Sequence, residues 1–464
     1  MDWPFWGQWG LVVCLWRRRE PQSREAAMEP HVAISECIGA RERLKCTIVK
    51  TIKREICVQL LMKLAINALK NQFKIKLKAL MPSVFHLFIQ KVYLMYFRLS
   101  LLLLLLVFFS CKTNSEKFTE DGVLRINLEE SELLNTENFE ILEFVPLEIN
   151  QYNLMGLDLR VRQSDSGIYV MDTGMRDAIQ QFSVDGSYVG AAASVGEGPN
   201  QLLGLQDFQL DDQGNLLVLS SLGDQSKILK IDATGQLSEL VNSDYLAGSF
   251  SIPTSGGFLL AGGYNLPIVS DRVVLIDASG VIQSTFLPND YENEMLPMGE
   301  RNFYESGDNL LYTEIFNNRI YAYTDQGLNP VMEIDMGKYA LPDDFWKVDL
   351  MQGFSRLQEQ GFATFKAVFE DDTHYLVNIH IQSKAGSFKK ILLINKQTGE
   401  SIHWDGSSAE EGLYSDPISI TNGKIVFLTF HSVLQDKLTD KLPTSLTDQQ
   451  FDYPVLITVK INKG

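Results

Sequence analysis

From residue 164 onward the sequence repeats one pattern six times: a turn built from Asp, Asn, Ser or Gly, followed by a short apolar strand. The turns are Ser164-Asp-Ser-Gly167, Asp211-Asp-Gln-Gly214, Thr254-Ser-Gly-Gly257, Glu305-Ser-Gly-Asp308, Glu370-Asp-Asp-Thr373 and Ile420-Thr-Asn-Gly423, and the strands that follow cover 168–171, 216–219, 258–261, 310–313, 375–378 and 425–428. Gly, Asn and Asp tolerate positive φ, so these clusters reverse the chain between strands. Five units carry a second reversal, at Val184-Asp-Gly186, Asp232-Ala-Thr-Gly235, Asp277-Ala-Ser-Gly280, Thr324-Asp-Gln-Gly327 and Lys396-Gln-Thr-Gly399. Two reversals per unit give four antiparallel strands. Such a unit cannot cover both its faces alone, whereas radial repetition covers them and leaves only short edges. The expected fold is therefore all-β, a six-bladed β-propeller of four-stranded antiparallel blades over 131–464. The sixth unit lacks a second turn, and Pro454-Val-Leu-Ile-Thr-Val-Lys-Ile461 is expected to pair beside 139–147, closing the ring with strands from both termini.

Upstream the material changes. Residues 1–94 hold 16 Lys+Arg against 7 Asp+Glu, and the rest of the chain 25 against 51. All cysteines but one (Cys14, Cys37, Cys46, Cys57) lie in that basic stretch, and none follows Cys111. Disulfides therefore cannot staple the body, and thiol catalysis there is excluded. A body this acidic disfavours nucleic acid, whose phosphates need Lys and Arg, and electrostatic adsorption to anionic lipid.

Residues 95–111 read Met-Tyr-Phe-Arg-Leu-Ser, then Leu101 to Leu106, Val107, Phe108, Phe109, Ser110 and Cys111. A short basic start and an apolar core too short to span a bilayer describe a signal peptide. The final Phe108-Phe109-Ser110-Cys111 resembles the lipobox of bacterial lipoproteins, which implies a diacylated Cys111 as the mature N-terminus. Two acyl chains anchor stably where one is marginal. Residues 112–130 are expected to be a tether. Residues 1–94 show no domain pattern and are expected to be an over-long upstream reading or an unstructured extension.

Within the body, Gly196-Glu-Gly-Pro-Asn-Gln-Leu202, then the segment 207–218, then Ile228-Leu-Lys-Ile-Asp-Ala-Thr-Gly235, are similar to an NHL-type propeller repeat. The stretch from about 131 to 463 resembles the six-bladed propeller lipoproteins of Gram-negative bacteria, which open with a Phe-Val-Pro-Leu-Glu-like strand, here Phe144 to Glu148. The resemblance implies an outer-membrane or periplasmic lipoprotein and no particular reaction.

Catalytic and metal signatures are missing from the sequence. His374, His380, His403 and His431 form no His-Glu-x-x-His pair, there is no Gly-x-Ser-x-Gly elbow, and Gly196-Glu-Gly198 runs into Pro199 instead of a helix start. Asp211-Asp-Gln-Gly-Asn215 lacks the alternating ligands and distal Glu of a calcium loop. No metal and no cofactor is expected. In a propeller the loops after each second strand and between blades open on one face, so a ligand is expected there. The candidates are Asp172, Arg176, Ser220, Ser221, Tyr264, Glu314, Arg319, His380 and His431. The longest inter-blade insertion, about 338–362, opens on the same face and is expected to begin a helix near Pro342 and to act as a lid. Its Trp346 either packs or stacks on a sugar or peptide. The second long loop, 434–452, is expected to be polar and solvated. The expected function is a lipid-anchored, non-catalytic binding module for a glycan, a peptide or a partner protein in the cell envelope. The alternative is a carbohydrate-active lyase or hydrolase using Asp172, Glu314, His380 and His431.

Overall fold

The computed structural model describes residues 117–119, 121–289, 301–306, 309–406, 412–438 and 451–462. All of these fall in the compact unit Thr113–Gly464. Residues 1–94, the apolar run and Cys111 lie outside the described residues.

Six sheets form the blades of a propeller. Blade 1 comprises Leu159–Ser164, Gly167–Asp172, Ala178–Phe182 and Tyr188–Ser194. Blade 2 comprises Asp207–Leu210, Leu216–Leu222, Gln225–Ile231 and Leu237–Ser243. Blade 3 runs from Ser249–Ser251 through Phe258–Ala261 and Asp271–Ile276 to Ile282–Pro288. Blade 4 runs from Phe303–Ser306 through Asn309–Tyr312 and Arg319–Thr324 to Gly327–Asp335. Blade 5 holds Phe362–Glu370, His374–Ser383, Gly386–Asn395 and Ser401–Gly406. Within each of these blades the four strands follow chain order and pair antiparallel, and the first strands of successive blades are neighbours, so those first strands line the axis.

Burial follows from this stacking. The second strand of blade 1 is buried at every position, because it lies mid-sheet with a blade on either side. That is why second strands read as continuous apolar runs. The outermost strand, Tyr188–Ser194, alternates. The turns are made as their chemistry requires: Gly280 has φ +86°, and a Cβ there would stand 1.8 Å from the Asn242 carbonyl oxygen, so only glycine fits between blades 2 and 3.

Blade 6 combines distant parts of the chain. Pro417–Thr421, Lys424–Phe430 and Pro454–Ile461 are joined at the outer edge by Phe139–Pro146. The last pair is antiparallel, with Val455 opposite Pro146 and Ile457 opposite Phe144.

Three expectations need correction. The stretch 112–130 is not all tether, since Leu124–Asn127 adds a parallel fifth strand outside blade 4. Leu124 and Ile126 alternate into the core, a signal too short to read alone. Near Pro342 the insertion forms only a short 3-10 turn, Phe345–Lys347, and not the start of an α-helix. Helix α1, Leu350–Gln360, begins eight residues after Pro342, where the Asp349 carboxylate accepts from the amides of Met351 and Gln352. Finally, 434–452 is not wholly a solvated loop. Helix α2, His431–Leu438, continues from the second strand of blade 6 and buries Val433 and Leu434.

Candidate functional site

The sequence-predicted residues do lie at second-strand ends and in inter-blade segments, but the structure divides them into separate groups. Asp172 is buried, and its carboxylate accepts from the amides of Gly156 (2.6 Å), Gly174 (2.8 Å) and Met175 (3.1 Å). It pins a turn. Arg176, at φ 51°, donates to the Thr173 carbonyl (3.0 Å) and the Gln206 side chain (2.5 Å), which holds the blade 1–2 connection.

Glu314 is buried beneath blades 3 and 4. Its carboxylate accepts from Arg272 Nε (2.6 Å), Tyr312 Oη (2.9 Å), Asn317 Nδ2 (2.9 Å) and Tyr264 Oη (3.4 Å). The Tyr264 ring stacks on Trp346 at 4.9 Å and receives the Arg272 guanidinium at 5.0 Å. Trp346 belongs to an aromatic cluster with Phe316, Phe345 and Phe354. Apolar burial holds the insertion down on the loops of blades 3 and 4 and, through its helix, on the second strand of blade 5, so it packs there as a fixed cap and Trp346 is committed to it. Glu314 has its lone pairs filled by structural donors and is not placed to serve as an acid or base.

Arg319 points elsewhere, pairing with Glu333 (3.2 Å) on the exposed outer half of blade 4. His431, the first residue of helix α2, stacks on Tyr453 at 4.5 Å at the end of blade 6. His380 is the candidate that reaches a cluster of charged side chains, and that cluster sits around the channel mouth between blades 1, 5 and 6.

The cluster consists of Asp158, which precedes the first strand of blade 1, Lys366 and Lys389 of blade 5, and Asp416, which precedes blade 6. Lys366 Nζ meets Asp158 Oδ1 at 2.9 Å, with the side chains 44% and 62% exposed. Lys389 Nζ meets Asp416 Oδ1 at 2.5 Å, and its side chain is only 11% exposed. Lys366 reaches this position because the ladder slips between Phe365 and Ala367, and a bulge re-aims the extra side chain.

Partial desolvation by the surrounding channel wall acts against ionising Asp158, although its side chain keeps contact with solvent, but Lys366, the Thr173 hydroxyl and Arg160 outweigh it and hold the carboxyl below its ordinary range. Burial likewise opposes the Lys366 charge, and Asp158 and Asp416 outweigh it, so Lys366 is raised. For His380, burial first and then Lys389 and Lys366 push the ring down to about 4, leaving it neutral at pH 7 beside the Ser387 hydroxyl. One step deeper, Arg160 pairs with Asp207 of blade 2, whose carboxylate also accepts from the amides of Phe208 (2.7 Å) and Phe250 (3.1 Å).

Sequence reasoning missed Asp158, Arg160, Lys366, Lys389 and Asp416. The usable signal was a lone lysine inside the apolar run Phe-Ala-Thr-Phe-Lys366-Ala-Val-Phe, since an isolated charge there must face the channel. Among the described residues no three His, Cys, Asp or Glu side chains gather as metal ligands. A shallow groove of about 410 Å³ at the opposite end, between Ser255, Phe286 and Tyr323, carries Asp325 as its charged side chain and no cluster. The arrangement at the mouth can therefore pair charges with a ligand and hydrogen-bond it through a neutral imidazole.

A crystal structure of a protein from Bacteroides fragilis NCTC 9343 named as exported is similar to this chain with a TM-score of 0.58 at 15% identity, covering 74% of this chain and 100% of that one. A protein of unknown function from Bacteroides caccae gives 0.35 at 11% identity, covering 56% and 84%. Catalytically inactive virginiamycin B lyase from Staphylococcus aureus with quinupristin gives 0.33 at 12%, covering 69% and 99%. The first of these supports the propeller fold; the other two are too distant to carry an argument. No curated protein matches the sequence. Residues 123–438, spanning most of the six blades, match the model of a domain of unknown function, DUF4934, and the chain belongs to that family.

Proposed function

We propose that the protein is a lipid-anchored propeller of the bacterial cell envelope, exported and tethered through Cys111, that binds a ligand without transforming it. The ligand, a glycan, a peptide or a segment of a partner protein, docks at the channel mouth formed by Asp158, Lys366, His380, Lys389 and Asp416. The observation that carries this reading is the contrast between two sets of ionisable groups. Asp172 and Glu314, the carboxylates that an acid–base mechanism would need, are consumed by structural hydrogen bonds. Lys366 and Asp158 keep solvent-accessible side chains at the rim. Ion pairs that remain hydrated can exchange partners with a ligand at low cost. Strands from both ends of the chain, Phe139–Pro146 and Pro454–Ile461, would close the ring and keep the rim rigid.

The reading is tested by thermal melting of the full chain in detergent against neutral and charged oligosaccharides and peptides, since a ligand that prefers the folded state raises the midpoint. The expected result is a saturable rise that is lost in Lys366→Ala and unchanged in Arg319→Ala. A rise that survives Lys366→Ala would overturn the assignment of the mouth. Labelling with a fatty acid, absent in Cys111→Ala, tests the anchor. The hydrolase or lyase reading has one specific observation in its favour, the neutral His380 against Ser387. Turnover of a panel ligand that disappears in His380→Gln would establish that reading instead.

A further inference from the structure

Inward of the charged rim lie two guanidinium groups with N–H donors that the described residues leave unfilled. Arg162 lies on the first strand of blade 1, two residues beyond Arg160 and so on the same face. Its Nε and Nη2 are buried and have no hydrogen-bond partner. Arg301 enters just ahead of the first strand of blade 4, which stands across a six-bladed ring from blade 1. Its Nε donates to the Phe303 carbonyl at 3.3 Å. Its guanidinium lies over the Tyr304 ring at 4.5 Å and near the Phe369 ring at 5.6 Å. Aromatic rings take the face of the guanidinium and leave the edge N–H groups to be filled. Among the described residues neither terminal nitrogen of Arg301 has a hydrogen-bond partner.

Among the described residues, the carboxylates on the neighbouring first strands already hold hydrogen bonds. Asp207 is bonded to Arg160 and to two backbone amides. Glu305 accepts from Ser251 Oγ at 2.5 Å. Burial first, and the charge of Arg162 next, push Arg301 down to about 9. Buried N–H donors without acceptors are unfavourable, and in an acidic protein a local gathering of guanidinium groups marks where an anion would be favoured.

We propose that Arg162 and Arg301 clamp an oxyanion in the channel, a carboxylate or phosphate group carried by a small ligand that enters past Lys366. A guanidinium fork matches both groups through paired N–H donors, and binding would fill donors that the described residues leave open. This rests on reading the channel as the binding part of the molecule, and it adds the chemical class of the ligand.

The test is melting and calorimetric titration of the full chain with acetate, glucuronate, inorganic phosphate and sulfate, at constant ionic strength kept with chloride. A saturable rise in midpoint is expected with at least one oxyanion, and the ratio of carboxylate to phosphate affinity identifies the source. Arg162→Gln and Arg301→Gln should each weaken binding by about tenfold to a hundredfold, the usual loss of a hydrogen bond to a charged group. Arg162→Lys keeps the charge and removes the fork. It should fold and bind more weakly than the parent, which guards against a Gln variant that fails to fold. Equal oxyanion affinity in parent and Arg162→Lys, or no oxyanion response at all, would overturn the clamp. A neutral ligand bound through Lys366 and indifferent to Arg162→Lys would refute the clamp while leaving the channel-mouth reading standing. An Arg162-dependent oxyanion that ignores Lys366→Ala would support the clamp and remove that reading of the rim.

Discussion

Replacing Glu314 by Ala should unfold this propeller earlier, and the size of the effect follows from what the carboxylate touches. Glu314 and Arg272 have side chains 1% and 6% exposed, with Nε to Oε1 at 2.6 Å. Removing one partner of such a buried pair strands the other charge, which costs about 3–5 kcal/mol. Tyr312 and Asn317 lose an acceptor in the same step. At roughly 2–4 °C per kcal/mol, and toward the lower end for a body of this size, the midpoint should fall by about 6–12 °C. Urea unfolding should show a lower transition midpoint with an unchanged slope, because the surface exposed on unfolding is the same. Glu314→Gln retains one acceptor oxygen without the charge and should lie between. The double substitution Arg272→Met with Glu314→Leu removes both charges and should recover most of the loss, since no orphan ion remains. A Glu314→Ala protein within about 1 kcal/mol of the parent, or a double variant no better than the single, would refute the structural role assigned to this carboxylate.

Other outcomes follow from the same geometry. Gly280→Ala should destabilise by more than Gly235→Ala as measured by urea midpoints, because both have positive φ but a Cβ at Gly280 meets the Asn242 carbonyl at 1.8 Å while Gly235 has open space; the left-handed backbone alone accounts for about 1–2 kcal/mol in each. His380 is depressed to about 4 in the folded chain against an ordinary 6.5, by burial and then Lys389 and Lys366. The unfolded chain therefore binds the extra proton between these values, so stability should fall as pH drops from about 6.5 to about 4, and His380→Gln should flatten that segment of a midpoint-versus-pH curve. A chain that starts at Leu147 lacks Phe139–Pro146, exposes the edge of Pro454–Ile461 with its buried Val455, Leu456 and Ile457, and should aggregate or melt far below the parent in light scattering. A truncated chain that stays monomeric with the parent's midpoint would show that blade 6 does not depend on that strand.

The blades were legible because their code is local. Each reversal is written in Asp, Asn, Ser and Gly at the turn, and each second strand is an apolar run because blades flank it on both sides. All six predicted second strands occur, from Gly167–Asp172 in blade 1 to Lys424–Phe430 in blade 6. The strand Leu124–Asn127 was not legible, since four residues joining a blade some 200 residues further along carry no local mark of their partner. Glu314, Asp172 and Trp346 stood out in the sequence as polar or aromatic residues at strand ends and in a long insertion, but their chemistry depends on neighbours such as Arg272, Gly156 and Tyr264, which approach only in the fold.

The sequence alone thus determined the architecture: the spacing of turn residues sets strand length and number, and apolar runs set which strands are enclosed. Only the tertiary structure decided which polar side chains are spent and which remain available. Asp158, Lys366, His380, Lys389 and Asp416 come from three blades and span more than half the chain, and only radial closure brings them to one rim. The physical reason is range. Backbone conformation is set by neighbours a few residues apart, whereas the charge, burial and free valences of a site are set by groups that meet through space.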